Sequence, residues 1–285
     1  MGQHYIPQRY LRGFQCPERT GMVWAFDKQL QTAKQLPIKN VAQERGFYDQ
    51  DVEDSLNRDV ELPGYAVIEK VCRGETINEA ERKYLTYYIG TMLRRVPHAR
   101  ARAESFVPQV IEQSTENAKA LFIAAAAAGE LDPETLAARL AEVEEAREKF
   151  LMEPPDEARK SCKTAWPFLS WLHAIHGMYW RVLRVSAGRS RFLTSDNPAH
   201  FFEAYGLGHD ECEVIFPLRS DVLLHCSRQR CQQLSQVDCA EALVKEVNRR
   251  VAGGATRFVF YHAEASWVLN AAKNRPEQMK RIYWE

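Results

Sequence analysis

The stretch EVIFPLRSDVLLHC, residues 213–226, holds two apolar runs, Glu213 to Leu218 and Val222 to Cys226, around the polar triplet Arg219-Ser220-Asp221. Short runs rich in Val, Ile and Phe that flank turn residues predict a β-hairpin. Upstream, Tyr179 to Val185 and Arg191 to Thr194 are also strand-like, and Ala187-Gly188-Arg189-Ser190 between them predicts another hairpin. Downstream, Asp238 predicts the cap of a helix that runs to about Ala252 and stops at Gly253-Gly254. Arg257 to His262 then reads as a strand and Trp267 to Lys273 as a closing helix.

The texture toward the N-terminus is different. Asn78 is placed to cap a helix in which Leu85, Tyr88, Ile89, Met92, Leu93 and Val96 recur at three- and four-residue steps, with Pro97 at its end. A further helix is predicted from about Ala103 to Ala128, bent at Pro108 and followed by Gly129. Asp132-Pro133 is an N-cap with proline at the first helical position, and Pro154-Pro155 closes the glutamate-rich helix it opens. Asp156 or Glu157 opens one more helix, reaching His176. Earlier still, Met22 to Asp27 predicts a strand, and Val52 to Val60 a helix that Pro63-Gly64 breaks before Tyr65 to Cys72 resumes it. Runs of helices followed by runs of strands indicate an α+β fold, predominantly helical, with an antiparallel sheet contributed mainly by the C-terminal third. Residues 103–178 form its mainly helical middle segment.

Composition narrows the function classes. The 285 residues carry 38 Lys plus Arg against 38 Asp plus Glu, so the formal net charge is zero. With 45% apolar and 27% charged residues, the chain is neither disordered nor a polybasic binder. No apolar run is long enough to span a membrane, and MGQHYIPQRY has no signal-peptide core. Seven cysteines, none in Cys-x-x-Cys spacing, are read as reduced thiols, which predicts a cytoplasmic protein. Loops and motifs of P-loop NTPases, dinucleotide enzymes, zincins and α/β-hydrolases are missing from the sequence.

Four groups of residues can carry chemistry. Thr194-Ser195-Asp196-Asn197-Pro198 follows a strand, so Asp196 is placed to bind a metal or act as a base and Asn197 to bind substrate. The competing reading is an Asx-turn before proline. His4, within His4-Tyr5-Ile6-Pro7-Gln8, is a candidate acid or base on a segment apolar enough to dock, with Tyr5 and Gln8 as binding residues. Glu53 and Glu61 lie eight residues apart and can share a helix face, where carboxylates can hold a divalent cation. Arg94, Arg95, His98, Arg100 and Arg102 form a basic run, with Arg94 and Arg95 as binding residues for the phosphates of a nucleotide or nucleic acid. Ion pairing with acidic helices is the alternative for that run.

These motifs carry a resemblance. His4-Tyr5-Ile6-Pro7-Gln8-x-Tyr10-Leu11-Arg12-x-Phe14, Phe47-Tyr48, Val52-Glu53, Glu61, Arg94-Arg95-x-Pro97, Phe192 to Pro198, Phe216-Pro217-Leu218 and the helix containing Asn248 resemble, in order, the motifs of the bacterial family domain of unknown function 4238. The resemblance implies one domain over residues 1–285, with polar motifs gathered from distant parts of the chain. It carries no activity. The expectation is therefore built from the residues: a metal-dependent hydrolase of phosphodiesters, nuclease-like. In it, Glu53, Glu61 and Asp196 hold Mg²⁺ or Mn²⁺, His4 and Asp196 are catalytic, and Arg94 or Arg95 neutralises phosphate. The alternative is a binding or interaction protein in which the same residues form a structural polar network.

Overall fold

A computed structural model describes residues 2–45, 50–155, 165–186, 190–203 and 205–273 of the chain. It divides into two compact units, Met1–His98 with Ala165–Glu285, and Ala99–Thr164. The fold is α+β.

The first unit holds all the strands among the described residues. A short pair joins β1 (Gly2–His4) to β4 (Gln43–Arg45), with His4 opposite Gln43. Met22–Asp27 is β2, as predicted, and pairs with β3 (Thr32–Pro37). These two join β11 (Phe258–Tyr261) and β6 (Thr194–Ser195) in a four-stranded antiparallel sheet ordered β3-β2-β11-β6. The second large sheet is ordered β10-β5-β9-β8-β7. It contains β5 (Tyr179–Arg184), β7 (His200–Phe201), β8 (Glu213–Arg219), β9 (Val222–Ser227) and β10 (Ser235–Asp238). The hairpin predicted at residues 213–226 is β8-β9, and every residue of β9 is buried. A strand covered on both faces reads as an apolar run rather than an alternation.

The hairpin predicted around Ala187 to Ser190 does not form. β5 pairs antiparallel with β9 and parallel with β10, whereas β6 belongs to the other sheet. Strand propensity identified β5 but not its partners, and of the predicted strand Arg191 to Thr194 only Thr194 is in β6; the burial of each face decides such pairings. Residues 187–189 themselves lie outside the described residues, as do Phe47-Tyr48 and the helix start at Asp156 or Glu157. Asp238 is not a helix cap but the last residue of β10. The helix numbered α8 below, Glu241–Gly254, starts after Ala240.

Helices in this unit begin with α1 (Gln8–Leu11), continued by a 3-10 turn over Arg12–Phe14. Then α2 (Gln50–Leu56) passes through a π-helical turn, Asn57–Glu61, into α3 (Leu62–Arg73). The expected break at Pro63-Gly64 is absent. Pro63 sits in the first turn of α3, where a missing N–H is tolerated, and the wide turn before it carries the chain through. Asn78 caps α4 (Glu79–Arg94) in a full capping box with Glu81. A helix of the C-terminal half, α7 (Leu169–His176), follows the second unit, and Val268–Lys273 forms α9. The core gathers Phe26, Leu183, Phe192, Ile215, Leu223, Val244, Val247, Val251, Val259 and Tyr261, so α8 packs with strands of both large sheets.

The second unit is helical. Most of α5 (Pro97–Ala127) belongs to it, as does α6 (Pro133–Met152), capped by Asp132 as predicted. Helix α5 begins at Pro97 rather than near Ala103, since proline suits the first helical turn. Arg147 pairs with Glu112 and Glu144, and Lys119 with Glu144, so ion pairs join the two helices.

Candidate functional site

The N-terminal motif places His4 by docking everything after it. Ile6, Tyr10, Leu11 and Phe14 are fully buried. The Tyr10 hydroxyl lies 2.6 Å from the Pro217 carbonyl, to which it donates, and 2.8 Å from the Thr194 hydroxyl. Its ring stacks on Phe216. Three of the distant motifs therefore meet at one tyrosine, and their meeting fixes α1 against β6 and β8.

On the other side of this segment is a cleft of about 400 Å³ lined by His4, Pro7, Gln8, Arg9, Arg12, Glu53, Asp54, Asn57 and Glu61. Arg95, at the end of α4, lies buried beside it. Its Nη1 donates to Glu61 Oε1 at 2.5 Å and its Nη2 to the His4 carbonyl at 2.5 Å. With Arg95 1% exposed and Glu61 19%, this pair is shielded from solvent. Breaking it would strand a charge at a cost of about 3–5 kcal/mol. The π-helical turn that carries Glu61 is a device often found at functional positions.

Of the residues that line the cleft, His4 and Glu53 each hold one atom, Nε2 and Oε2, that is buried and has no hydrogen-bond partner among the described residues. The Lys39 carbonyl accepts a hydrogen bond from His4, which assigns the proton to Nδ1 and leaves Nε2 with a lone pair. Burial lowers the His4 imidazole from its ordinary 6.5. The Lys39 carbonyl opposes that, Arg95 adds to it and Glu61 opposes it. Burial raises the Glu53 carboxyl from 4.5, with Arg95 opposing and Glu61 and Asp54 reinforcing. Burial therefore shifts His4 toward its neutral form and Glu53 toward its protonated form. Its rim carries Arg12, exposed on the 3-10 turn, and Arg9, whose guanidinium lies 4.3 Å from the Tyr65 ring centre.

The Asp196 motif is used differently. The Asp196 carboxylate accepts backbone N–H bonds from Thr256, Arg257 and Phe258 at 2.8, 2.7 and 2.9 Å. Its own N–H donates to the Phe258 carbonyl. Burial pushes its carboxyl up, and the three amide bonds pull it back. Ser195 Oγ donates to the Asn197 carbonyl, and Asn197 Nδ2 to the Gly254 carbonyl. This is a turn that clamps β6 to β11. Lys28 Nζ donates to three carbonyls at the end of α8, those of Ala252, Gly253 and Ala255. Asn248 similarly brackets the strand before Asp196, through the Leu193 N–H and the Arg191 carbonyl.

The predicted residues thus separate. His4, Gln8, Glu53 and Glu61 meet in the cleft with Arg95 beneath them. Tyr5 is buried and turned away, its hydroxyl feeling the charges of Asp196, Glu44 and Arg257. Glu53, Glu61 and Asp196 are not assembled as one ligand set. Among the described residues no group of three or more His, Cys, Asp or Glu is placed to hold a metal ion. In the basic run, Arg94 is buried against Phe168 and His98 contacts Glu203 at 2.8 Å. In the helical unit Arg100 pairs with Glu104. Sequence reasoning missed Arg9, Arg12, Asp54 and Asn57 as lining residues. Asn57 was detectable, because it stands four residues from both Glu53 and Glu61.

The family model described as Protein of unknown function (DUF4238) matches residues 2–265, and the chain belongs to that family. No curated protein and no solved structure matches it. Among the described residues no helix is long and apolar enough to cross a membrane.

Proposed function

We propose that this DUF4238 chain uses the His4–Glu53 cleft as an acid–base site that cleaves a phosphodiester. His4 Nε2 takes a proton from the attacking hydroxyl, Glu53 gives one to the leaving oxygen, and Arg12 with Arg9 meets the phosphate charge. The observation that carries this reading is one cleft lined by His4 and Glu53 together with the cations Arg9 and Arg12. Desolvation moves both toward the protonation states this chemistry needs.

Arg95 is a positioning residue in this reading. It fixes the backbone of His4 and the carboxylate of Glu61 at once. For the expected Mg²⁺ or Mn²⁺, no three-residue ligand set is found among the described residues, and the metal's part in turnover is read by running the same assay with and without chelator.

The test is turnover of a chromogenic phosphodiester such as bis(4-nitrophenyl) phosphate. His4→Gln and Glu53→Gln should each lower kcat by about 10²–10⁴-fold per folded protein; because His4→Gln also gives up the hydrogen bond to the Lys39 carbonyl, the folded fraction of each variant is measured alongside. An unchanged rate in both variants would rule the reading out. A second reading, a binding cleft without turnover, is favoured by Arg95 spending its hydrogen bonds on Glu61 and the His4 carbonyl and Asp196 on backbone amides. It predicts stability losses in their variants and no rate in the wild type.

A further inference from the structure

We infer that the helical unit is a self-association arm: two copies of this chain pack one apolar face of the α5–α6 pair together and close a four-helix bundle. The starting observation is how little the two helices cover each other. Helix α6 has no buried residue over its 20 positions, and α5 has only Ala99 and Thr115. Ile111, Phe122, Leu140 and Val143 are half-buried, and Phe106, Val110, Leu121 and Phe150 are exposed. Helices in proteins draw most of their stability from packing an apolar face, and here that packing is incomplete.

The ion pairs show which face is open. Arg147 with Glu112 and Lys119 with Glu144 tie the helices side by side, and Glu116 reaches the same lysine. Val110 stands nine residues from Lys119, and Leu121 nine from Glu112. Nine residues are two and a half helical turns, so both side chains lie on the side of α5 opposite its ion-paired charges. They are eleven residues apart and share one stripe, with Phe106 one turn before Val110. On α6, Val143, Ala146 and Phe150 recur at steps of three and four, on the side away from Glu144 and Glu148. That stripe also holds Arg139, whose charge is paired with Glu142 at 2.7 Å. The hairpin is therefore amphipathic as a unit, with charges on one face and Val110 and Leu121, 61% and 71% exposed, on the other.

Size and charge fit a second copy as the occupant. The 20 residues of α6 run about 30 Å. Two helices side by side present a face roughly 30 Å by 20 Å, on the order of 600 Å² before the relief of the side chains is counted. That approaches the roughly 800 Å² that each partner contributes to a standard interface. A two-fold contact needs a surface that complements itself, and an apolar face does so. Residues 99–164 carry nine Lys and Arg against thirteen Asp and Glu, so two copies repel through any face that displays those charges. Apolar face against apolar face turns the ion-paired sides outward, where solvent screens them.

The test is sedimentation velocity of the full chain over a range of concentrations, in 0.1 M and in 1 M NaCl. The expected species is a dimer that persists in 1 M NaCl. Val110→Glu combined with Leu121→Glu should raise its dissociation constant about 100-fold or more, since it places charges in an apolar contact. Val110→Ala combined with Leu121→Ala, which keeps good helix formers, should weaken the dimer about tenfold, and far-UV circular dichroism confirms that helix content is held. Ile123→Glu should leave the dimer intact, because Ile123 is four residues from Lys119 and seven from Glu116, on the charged face. A wild-type chain that stays monomeric throughout would overturn the inference. So would a dimer indifferent to both double substitutions, one lost equally in Ile123→Glu, or one that 1 M NaCl dissociates.

Discussion

His4 and Asp196 show how far a single residue can be read before its neighbours are known. Both stand in short polar motifs, and both looked equally able to do chemistry. The difference lies in their hydrogen bonds. Asp196 spends its carboxylate on three backbone amides, while His4 lines a cleft and has no hydrogen-bond partner at its buried Nε2. Nothing in the sequence states where a carboxylate's lone pairs go, so the turn reading and the site reading of Asp196 could not be separated there. Asp196→Asn should cost on the order of 3 kcal/mol, because an amide cannot accept from all three donors, yet the folded fraction should keep its turnover. Urea melts alongside rate measurements check both halves. A second residue sets an acid limit on stability. Burial, with Arg250 adding to it, pushes the His200 imidazole down to about 4. The unfolded chain takes up that proton near 6.5 and the folded chain not until about 4. The stability His200 supplies is therefore complete above pH 6.5 and is lost as pH falls from 6.5 toward 4, by about 3 kcal/mol. His200→Gln should flatten that part of the melting-temperature curve; an unchanged slope would show that another group sets it.

At the scale of elements, local signals held where the chemistry is local and failed where it is not. The Asn78 and Asp132 caps, the β8-β9 hairpin and strand β2 are all present, since each depends on a few neighbouring residues. The strand partners of β5 and β6 were not legible, because two similar apolar runs can be joined by a turn or sent to different sheets. Pro63-Gly64 is the more instructive miss. The glycine is not a breaker but a contact point: a Cβ there would stand 2.7 Å from the Tyr88 side chain, so α3 and α4 approach closely only because residue 64 has none. Gly64→Ala, harmless by helix propensity, should destabilise by about 1–3 kcal/mol through overpacking. Thermal melts of the variant measure it, and a neutral or stabilising effect would show that α4 can yield at that point.

Across the whole molecule, the α+β class was readable from the order of helices and strands, and the family from its motifs. The contribution of the N-terminal half was underweighted: β2 and β3 supply two strands of the four-stranded sheet, whose other two come from β6 and β11 in the C-terminal half. The N-terminal segment is likewise no loose end. Because Ile6, Tyr10, Leu11 and Phe14 are fully buried, removing residues 1–14 should abolish cooperative unfolding of the first unit, as followed by circular dichroism. A truncated chain that melts as sharply as the full one would contradict that role. The division of labour among the motifs follows. Tyr10, Thr194, Asp196, Pro217 and Asn248 tie the N-terminal segment and the strands together, and in doing so they fix the segment that brings His4 to the cleft.

The pH dependence of phosphodiester cleavage tests that arrangement most directly. A neutral His4 is required, so the rate should fall on the acid side as the imidazole takes up a proton. A protonated Glu53 is required, so it should fall on the alkaline side as the carboxyl ionises. With the imidazole shifted down and the carboxyl shifted up, both by burial, the account predicts a bell-shaped profile. His4→Gln should remove its acid limb and Glu53→Gln its alkaline limb. A rate that keeps both limbs in both variants, or that rises steadily through neutral pH, would contradict the claim that these two residues move the protons.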